Sequence, residues 1–557
     1  MTRERMSGVD TAWLRMDSPG NLMMIVGVEV LESPIGYDQL CQRLEDRLRR
    51  FDRFHQKIEP DATGYWWVDD PDFRMSRHVV RAKLRGKAGD PQLQAFAAKL
   101  ACEPLDADHP LWQFQLVEHY KGGSAIVVRI HHCIADGIAL VDVLLSLADD
   151  FASPTRDGDG SGATQEQDAG YEHDAGGFLG GMFEPLARSA QHAAEAAGLT
   201  LARSLDIAGE VATDAHARSA LASIGSQVVT DAMKIALMTE DSPTRLKGKP
   251  SGRKVVAWNA PMPLEEVKLV CKVLDVSVND VLLSGVAGAL HHYLERHGEY
   301  TRGKEIRAMV PVNLRRPDEP GSLGNRFGLV PLTLPVGISN PVERLYEVRR
   351  RMRELKDGYQ APLAFALLNV IGHAPRQMQS LVLEYLASKG TAVMTNVPGP
   401  RQPIEFFGIR LSRMMFWVPQ SGDIGVGVSI LSYNGAVQFG LMTDVALCPD
   451  PQAIVDLFEP EFERLVLTLS MLPRELVESG VVDAYELEQR VLGGPRGGRR
   501  GAVKASGGKA IAAKAGGGKA IAAKARTTKA HAGKRRASKA APRGASRASA
   551  GAEGVVS

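Results

Sequence analysis

The stretch Ser124–Asp150, SAIVVRIHHCIADGIALVDVLLSLADD, decides the reading of the whole chain. Ala125–Ile130 is apolar and β-branched, the composition of a buried strand. Ile138–Leu147 reads as an apolar helix. Between them stand His131, His132, Asp136 and Gly137. Successive strand side chains point to opposite faces, so two adjacent histidines at a strand end cannot both face one cavity. One can serve as a base while the other is packed or hydrogen-bonded in the scaffold. Asp136 can stabilise the loop through a charge pair, and Gly137 permits a sharp entry into the helix. Two other readings stay open on these residues alone. A histidine pair in an apolar segment can be wholly structural. His and Asp can also ligate a metal, but the spacing supplies no third and fourth ligand.

The chain has 557 residues, which favours more than one domain, and 44% of them are hydrophobic, enough for large buried cores. Its net charge of +2 conceals an asymmetry. From Pro495 onward there are 8 Lys, 8 Arg and one acid, Glu553, so an acidic body carries a strongly basic tail. Cys41, Cys102, Cys133, Cys271 and Cys448 are scattered and odd in number. That argues against a disulfide framework or zinc finger and for a reducing, cytoplasmic setting. MTRERMSGVD lacks the apolar core of a signal peptide. No apolar run approaches the ~18 residues of a membrane span, so any membrane contact should be peripheral.

Strand and helix signals alternate, which indicates an α/β or mixed α+β class. In 1–150, Leu22–Leu31, Tyr65–Val68, His78–Val80 and Gln113–His119 read as strands. Tyr37–Phe54, with Leu40, Leu44 and Leu48 at helical spacing, and Pro91–Cys102 read as helices. Pro110-Leu111-Trp112 is a rigid turn feeding a buried aromatic into a strand. Ser153–Gly177 is rich in Gly, Asp, Ser and Gln and reads as a flexible linker; Phe178–Met238 turns helical, so 151–245 bridges two lobes. Leu179, Met182 and Phe183 form an apolar cluster that packs or touches lipid. In 246–492, strands are expected at Arg253–Trp258, Glu305–Leu314, Leu332–Val336 and Thr391–Val397. Ile424–Leu431 and Ala436–Met442 flank Asn434-Gly435, a hairpin signal. Helices are expected at Pro263–Leu274, Val281–His297, Val342–Lys356 and Pro451–Leu469. Ser284, Gly285, Gly288 and Ala289 would let the second of these approach a neighbour closely.

In the tail, 493–557, GGKAIAAKA at Gly507–Ala515 recurs at Gly517–Ala525, and lysines recur every five residues from Lys504 to Lys539. Five residues advance about 500° on a helix, so these lysines make no stripe. High charge and few aromatics imply disorder in isolation. The physical content is a flexible polycation for a polyanion, nucleic acid or anionic lipid, or a merely solubilising tail.

His131–Gly137 resembles the HHxxxDG motif of the chloramphenicol acetyltransferase-like superfamily. From about Met6 to Leu492 the chain resembles the bacterial wax ester synthase/acyl-CoA:diacylglycerol O-acyltransferase family. The matching pieces, in family order, are Pro110-Leu111-Trp112, His131–Gly137, Val278-Asn279-Asp280, Pro311–Arg315, Gly324-Asn325-Arg326, Asn396–Pro400 and Gly440–Asp444. The basic tail lies outside the resemblance. It implies two chloramphenicol acetyltransferase-like lobes joined by a helical linker, with a passage between them. The implied reaction moves a long-chain acyl group from acyl-CoA to diacylglycerol or a long-chain alcohol, with no metal and no cofactor. His132 becomes the general base, since imidazole titrates near neutrality. Asn279 becomes the oxyanion donor, although an Asn just before a helix is also a common cap. His131, Asp136, Gly137 and Arg315 become structural, with Arg315 the partner of Asp136, and Cys133 is not a nucleophile. The resemblance places the protein in the cytoplasm, peripherally on the inner membrane or lipid droplets. Acyl transfer from a carrier protein, as in condensation or polyketide-associated enzymes, is a neighbouring reading. A non-enzymatic lipid-droplet protein that binds nucleic acid through its tail is a third. The lack of a P-loop or dinucleotide fingerprint disfavours nucleotide hydrolysis and redox chemistry.

Overall fold

Every residue of the strand Gly123–His131 is buried, because both of its faces are covered. In the computed structural model, the residues described are 3–149, 237–314, 323–356 and 360–470, with 231, 234 and 358. The expectations placed on 151–230, on Arg315 and on the tail lie outside them. Ile126, Val128 and Ile130 face one apolar layer, which includes Leu40, Leu44 and Leu48 of the helix Tyr37–Leu48. Ala125 and Val127 face the other, with Leu93, Ala97 and Leu100 of the helix Asp90–Ala101. Period-two alternation thus places each side chain, and each fully buried Leu contributes about 1.5–3 kcal/mol.

The first sheet has six strands, in the order Glu405–Phe406, Ile409–Trp417, Met24–Leu31, Gly123–His131, Trp112–Tyr120 and Val79–Ala82. Only Val79–Ala82 pairs parallel with its neighbour. Two of these strands come from the far end of the chain. Ile409–Trp417, a stretch with no assigned element in the sequence reading, pairs antiparallel with Met24–Leu31, Trp417 opposite Val26. The second sheet runs Phe327–Leu334, Ile306–Asn313, Ala392–Pro398, Val426–Tyr433, Ala436–Asp444 and Lys254–Trp258, with Met262–Pro263 pairing to Ala436–Val437. Asn434 and Gly435 turn its hairpin at positive φ, +47° and +73°, as the Asn-Gly signal requires.

Several expected elements differ from those observed. The helix expected over Tyr37–Phe54 stops at Leu48, with a separate 3-10 turn at Asp52–Phe54, and the strand expected at His78–Val80 is Val79–Ala82. The strand expected at Leu332–Val336 is Phe327–Leu334. Pro331, which cannot donate a ladder hydrogen bond, is tolerated because this strand lies at the sheet edge. The helix expected over Pro451–Leu469 is two helices, Pro451–Val455 and Phe458–Ser470. Pro460 suits a first helical turn and would break a continuous helix. The helix expected at Val281–His297 begins at Val278, because Ser277 caps it: Ser277 Oγ accepts from Asp280 N at 3.2 Å and Asp280 Oδ2 accepts from Ser277 N at 2.9 Å. Its small residues do admit close neighbours. Gly285 lies against the Phe458 ring, and a Cβ on Gly288 would run into the buried Arg344–Glu461 ion pair. Among the described residues, no single helix is long and apolar enough to cross a membrane; one bent pair, Leu264–Leu274 with Val278–Arg296, passes on length and composition together.

Candidate active site

His132 follows the last residue of the central strand of the first sheet, and its amide donates to Met23 O at 2.7 Å. Its ring is buried and stacked on Trp13, centroids 4.3 Å apart and 16° between planes. Trp13 belongs to the helix Gly8–Arg15. Phe327 flanks the same ring at 5.4 Å. Three residues far apart in sequence then fix its protons. Asn325 Nδ2 donates to Asp10 Oδ1 at 2.8 Å and to the His132 carbonyl at 2.7 Å. Both partners only accept, so the amide orientation is determined and Oδ1 faces the ring. His132 Nδ1 lies 2.9 Å from that Oδ1 and therefore carries the proton. Nε2, at the other edge of the ring, holds the lone pair. Asp10 is held in turn by Arg53, 3.2 Å away.

Burial pushes the His132 pKa down to about 4, against the opposing pull of the Asp136 carboxylate. The ring is neutral at physiological pH, the state a general base needs. His132 lines a narrow cavity. Its walls are mostly apolar, with Leu283, Met309, Leu367, Leu383, Val393 and Ile424 among them. Asn279 and Asn396 bring amides to the same cavity. The Asn396 and Asn279 side-chain amides are hydrogen-bonded to each other, Asn396 Nδ2 donating to Asn279 Oδ1.

Residues 6–282 match the wax ester synthase/diacylglycerol acyltransferase catalytic domain, and 323–466 match the WS/DGAT C-terminal domain. The chain belongs to the wax ester synthase/diacylglycerol acyltransferase family. It is 29% identical over 453 residues to the "Probable diacyglycerol O-acyltransferase tgs1" of Mycobacterium tuberculosis, covering 80% of this chain and 91% of that one. The fold is shared with the wax ester synthase/diacylglycerol acyltransferase of Marinobacter aquaeolei VT8, at a TM-score of 0.58 and 18% identity over 85% of this chain and 100% of that one. The starter condensation domain of rhizomide synthetase also shares it, at 0.51 and 14%, over 84% and 95%. The fold is accordingly the two-lobed, mixed α/β one of the chloramphenicol acetyltransferase-like superfamily.

Within this WS/DGAT fold the other anticipated residues occupy distinct places. His131 does not line the cavity. Its Nε2 faces Asp17 Oδ2 at 3.3 Å, and its Nδ1 accepts from Cys133 N at 3.2 Å. Burial lowers its pKa, while Cys133 and Asp17 raise it by more. The raised pKa favours the imidazolium, yet a proton on Nδ1 would break the Cys133 contact, so the hydrogen bond selects the neutral Nε2–H form. Cys133 is buried in the apolar core beneath the strand. Asp136 caps the helix Gly137–Leu145, accepting from Ala139 N at 3.0 Å, and its other oxygen accepts from Arg326 N at 3.0 Å. The HHxxxDG loop is thereby tied to the Gly324-Asn325-Arg326 loop that holds His132. Gly137 lines the cavity. Asn279 stands inside the first turn of its helix; the capping role falls to Ser277. Trp112 packs in the core, and Leu111 O accepts from His131 N at 2.9 Å. Gly399 lets strand Ala392–Pro398 end against Ser432, whose carbonyl oxygen would be 2.6 Å from a Cβ. The sequence reading missed Asp10 and Trp13 and gave Asn325 and Asn396 no role. The Gly324-Asn325-Arg326 and Asn396–Pro400 motifs were the available signals.

Proposed function

We propose that this WS/DGAT-family acyltransferase moves a long-chain acyl group from the CoA thioester to the hydroxyl of diacylglycerol or of a long-chain alcohol. One observation carries the reading. A neutral imidazole with its proton locked on Nδ1 lines a mostly apolar cavity. Nε2 takes the proton of the acceptor hydroxyl as its oxygen attacks the thioester carbonyl. The Asn279 side-chain amide donates to the developing oxyanion. When the C–S bond breaks, the imidazolium returns the proton to the leaving thiolate, releasing CoA thiol and the ester. No covalent enzyme intermediate is needed, and Cys133 stays in the core.

Both acyl chain and acceptor are water-insoluble, so we place the protein at a lipid surface. Val370, Met378, Leu381 and Tyr385 are exposed on the helices Gln360–His373 and Arg376–Ser388. The same two helices contribute Leu367, Leu368, Leu383 and Leu386 to the cavity wall. They therefore offer one apolar face to the substrates and another outward. The basic tail would add attraction to anionic lipid or nucleic acid.

The test is thiol release from palmitoyl-CoA offered hexadecanol and diacylglycerol in parallel, with lipid products identified. His132→Ala should abolish release with either acceptor while the circular dichroism spectrum is kept. A folded, active His132→Ala enzyme would remove this residue from the mechanism.

A further inference from the structure

We infer that His291, His292 and Glu295, in the last turns of the helix Val278–Arg296, form a binding site for a divalent metal ion of the zinc class. One ligand atom of each residue lies within 4.8 Å of the others. His291 Nε2 is 3.4 Å and His292 Nδ1 is 3.7 Å from Glu295 Oε2. These separations exceed a hydrogen bond of ~2.7–3.2 Å. They approach the edge of a zinc coordination tetrahedron, about 3.3 Å for bonds of ~2.0–2.1 Å.

The second nitrogen of each ring explains which atoms converge. His291 Nδ1 lies 2.8 Å from the carbonyl oxygen of Val336, an acceptor, so Nδ1 carries the proton and Nε2 the lone pair. His292 Nε2 lies 2.8 Å from Glu461 Oε1, which puts that ring's lone pair on Nδ1. With the His292 proton on Nε2, two imidazole lone pairs and a carboxylate oxygen face one another, and a cation between them would satisfy all three. A backbone carbonyl behind one histidine and a carboxylate behind the other are the outer partners that orient metal-bound imidazoles. Thr301 Oγ1 holds Glu295 Oε1 at 3.4 Å, which leaves Oε2 for the ion.

Two arginines sit nearby. Arg344 pairs with Glu461 in the core. Arg464 Nη1 is 2.6 Å from His292 Nε2 and 3.4 Å from Glu461 Oε1, so it competes with Glu461 for that nitrogen. Arg464 is half exposed and Glu461 buried, so a bound ion selects the Nε2–H form on Glu461 and lets Arg464 swing outward. None of the three ligands lines the His132 cavity. Asn279 is about 18 Å away along the same helix, twelve residues at ~1.5 Å each. The ion would clamp this helix end to the Val336 loop and to the helix Phe458–Ser470, with no part in acyl transfer.

The test uses the full chain, stripped with EDTA, titrated with ZnCl2 by calorimetry and with CoCl2 by visible absorption. The expected result is one tight site, the intense visible bands of tetrahedral Co²⁺, and a higher thermal midpoint with Zn²⁺. Glu295→Gln and His292→Ala should each weaken that site by more than about tenfold. Acyl transfer should stay unchanged, since neither side chain lines the cavity, and Glu295→Gln, at a half-exposed carboxylate, should keep the metal-free thermal midpoint. Tight Zn²⁺ binding that survives both substitutions, or wild-type uptake no greater than that of the double variant, would overturn the site.

Discussion

Replacing Asn325 with alanine removes the group that decides which nitrogen of His132 is basic. In the native protein Oδ1 takes the Nδ1 proton at 2.9 Å, and Nδ2 serves Asp10 and the His132 carbonyl. The variant frees the ring to turn on Trp13 and to place its proton on Nε2, where it cannot act as a base. Each buried polar group left without its partner costs about 1–3 kcal/mol. If one such contact is the margin that holds the reactive tautomer, kcat falls between about 5-fold and 150-fold. KM for palmitoyl-CoA should move little, because Asn325 is not among the residues of the cavity wall. Thermal melting should show a loss as well, since Asp10 Oδ1 and the His132 carbonyl both lose the Nδ2 donor and Asp10 Oδ1 keeps only the backbone N–H of residue 325. Asn325→Asp supplies a readout that a scaffold role would not move. A carboxylate beside Nδ1 favours the imidazolium, so the acid limb of the pH–rate profile should rise toward neutrality. The assay is thiol release from acyl-CoA under saturating acceptor, from pH 4.5 to 9. A folded Asn325→Ala enzyme with native kcat would refute the tautomer argument. So would an Asn325→Asp profile that superimposes on the wild type.

Four more outcomes follow from the same geometry. The His132 pKa is lowered to about 4, so wild-type kcat/KM should stay level as pH falls from neutrality past 6.5 and decline only on approach to that value; a midpoint near 6.5 would contradict the burial argument. The unfolded chain takes up this proton near pH 6.5, so His132 also destabilises the fold by up to about 3 kcal/mol as pH drops from there to about 4, measurable by urea unfolding at stepped pH. Asn279→Ala should lower kcat by about 10²–10³; the Ser277 cap stays, so the stability cost is that of Asn396 Nδ2 losing its acceptor, about 1–3 kcal/mol, and a loss confined to stability would reassign this residue. Gly288→Ala should destabilise the second lobe by about 3–5 kcal/mol in denaturant unfolding, since its Cβ would part the buried Arg344–Glu461 pair.

The sequence by itself determined the parts that depend on neighbours along the chain. The apolar alternation of Gly123–His131, the Asn434-Gly435 hairpin and the spacing of Leu40, Leu44 and Leu48 are local patterns, and each element formed where its pattern lay. The opposite facing of His131 and His132 followed from strand geometry alone. The motif order named the family. Tertiary structure decided the rest, because it joins residues with no shared local pattern. Asn325 lies 193 positions from His132 and 315 from Asp10, yet those contacts set the tautomer. The strand Ile409–Trp417 completes a sheet begun at Met24 through backbone hydrogen bonds, which carry no residue signature. Hydrogen-bond complementarity across such distances emerges only when the chain has folded.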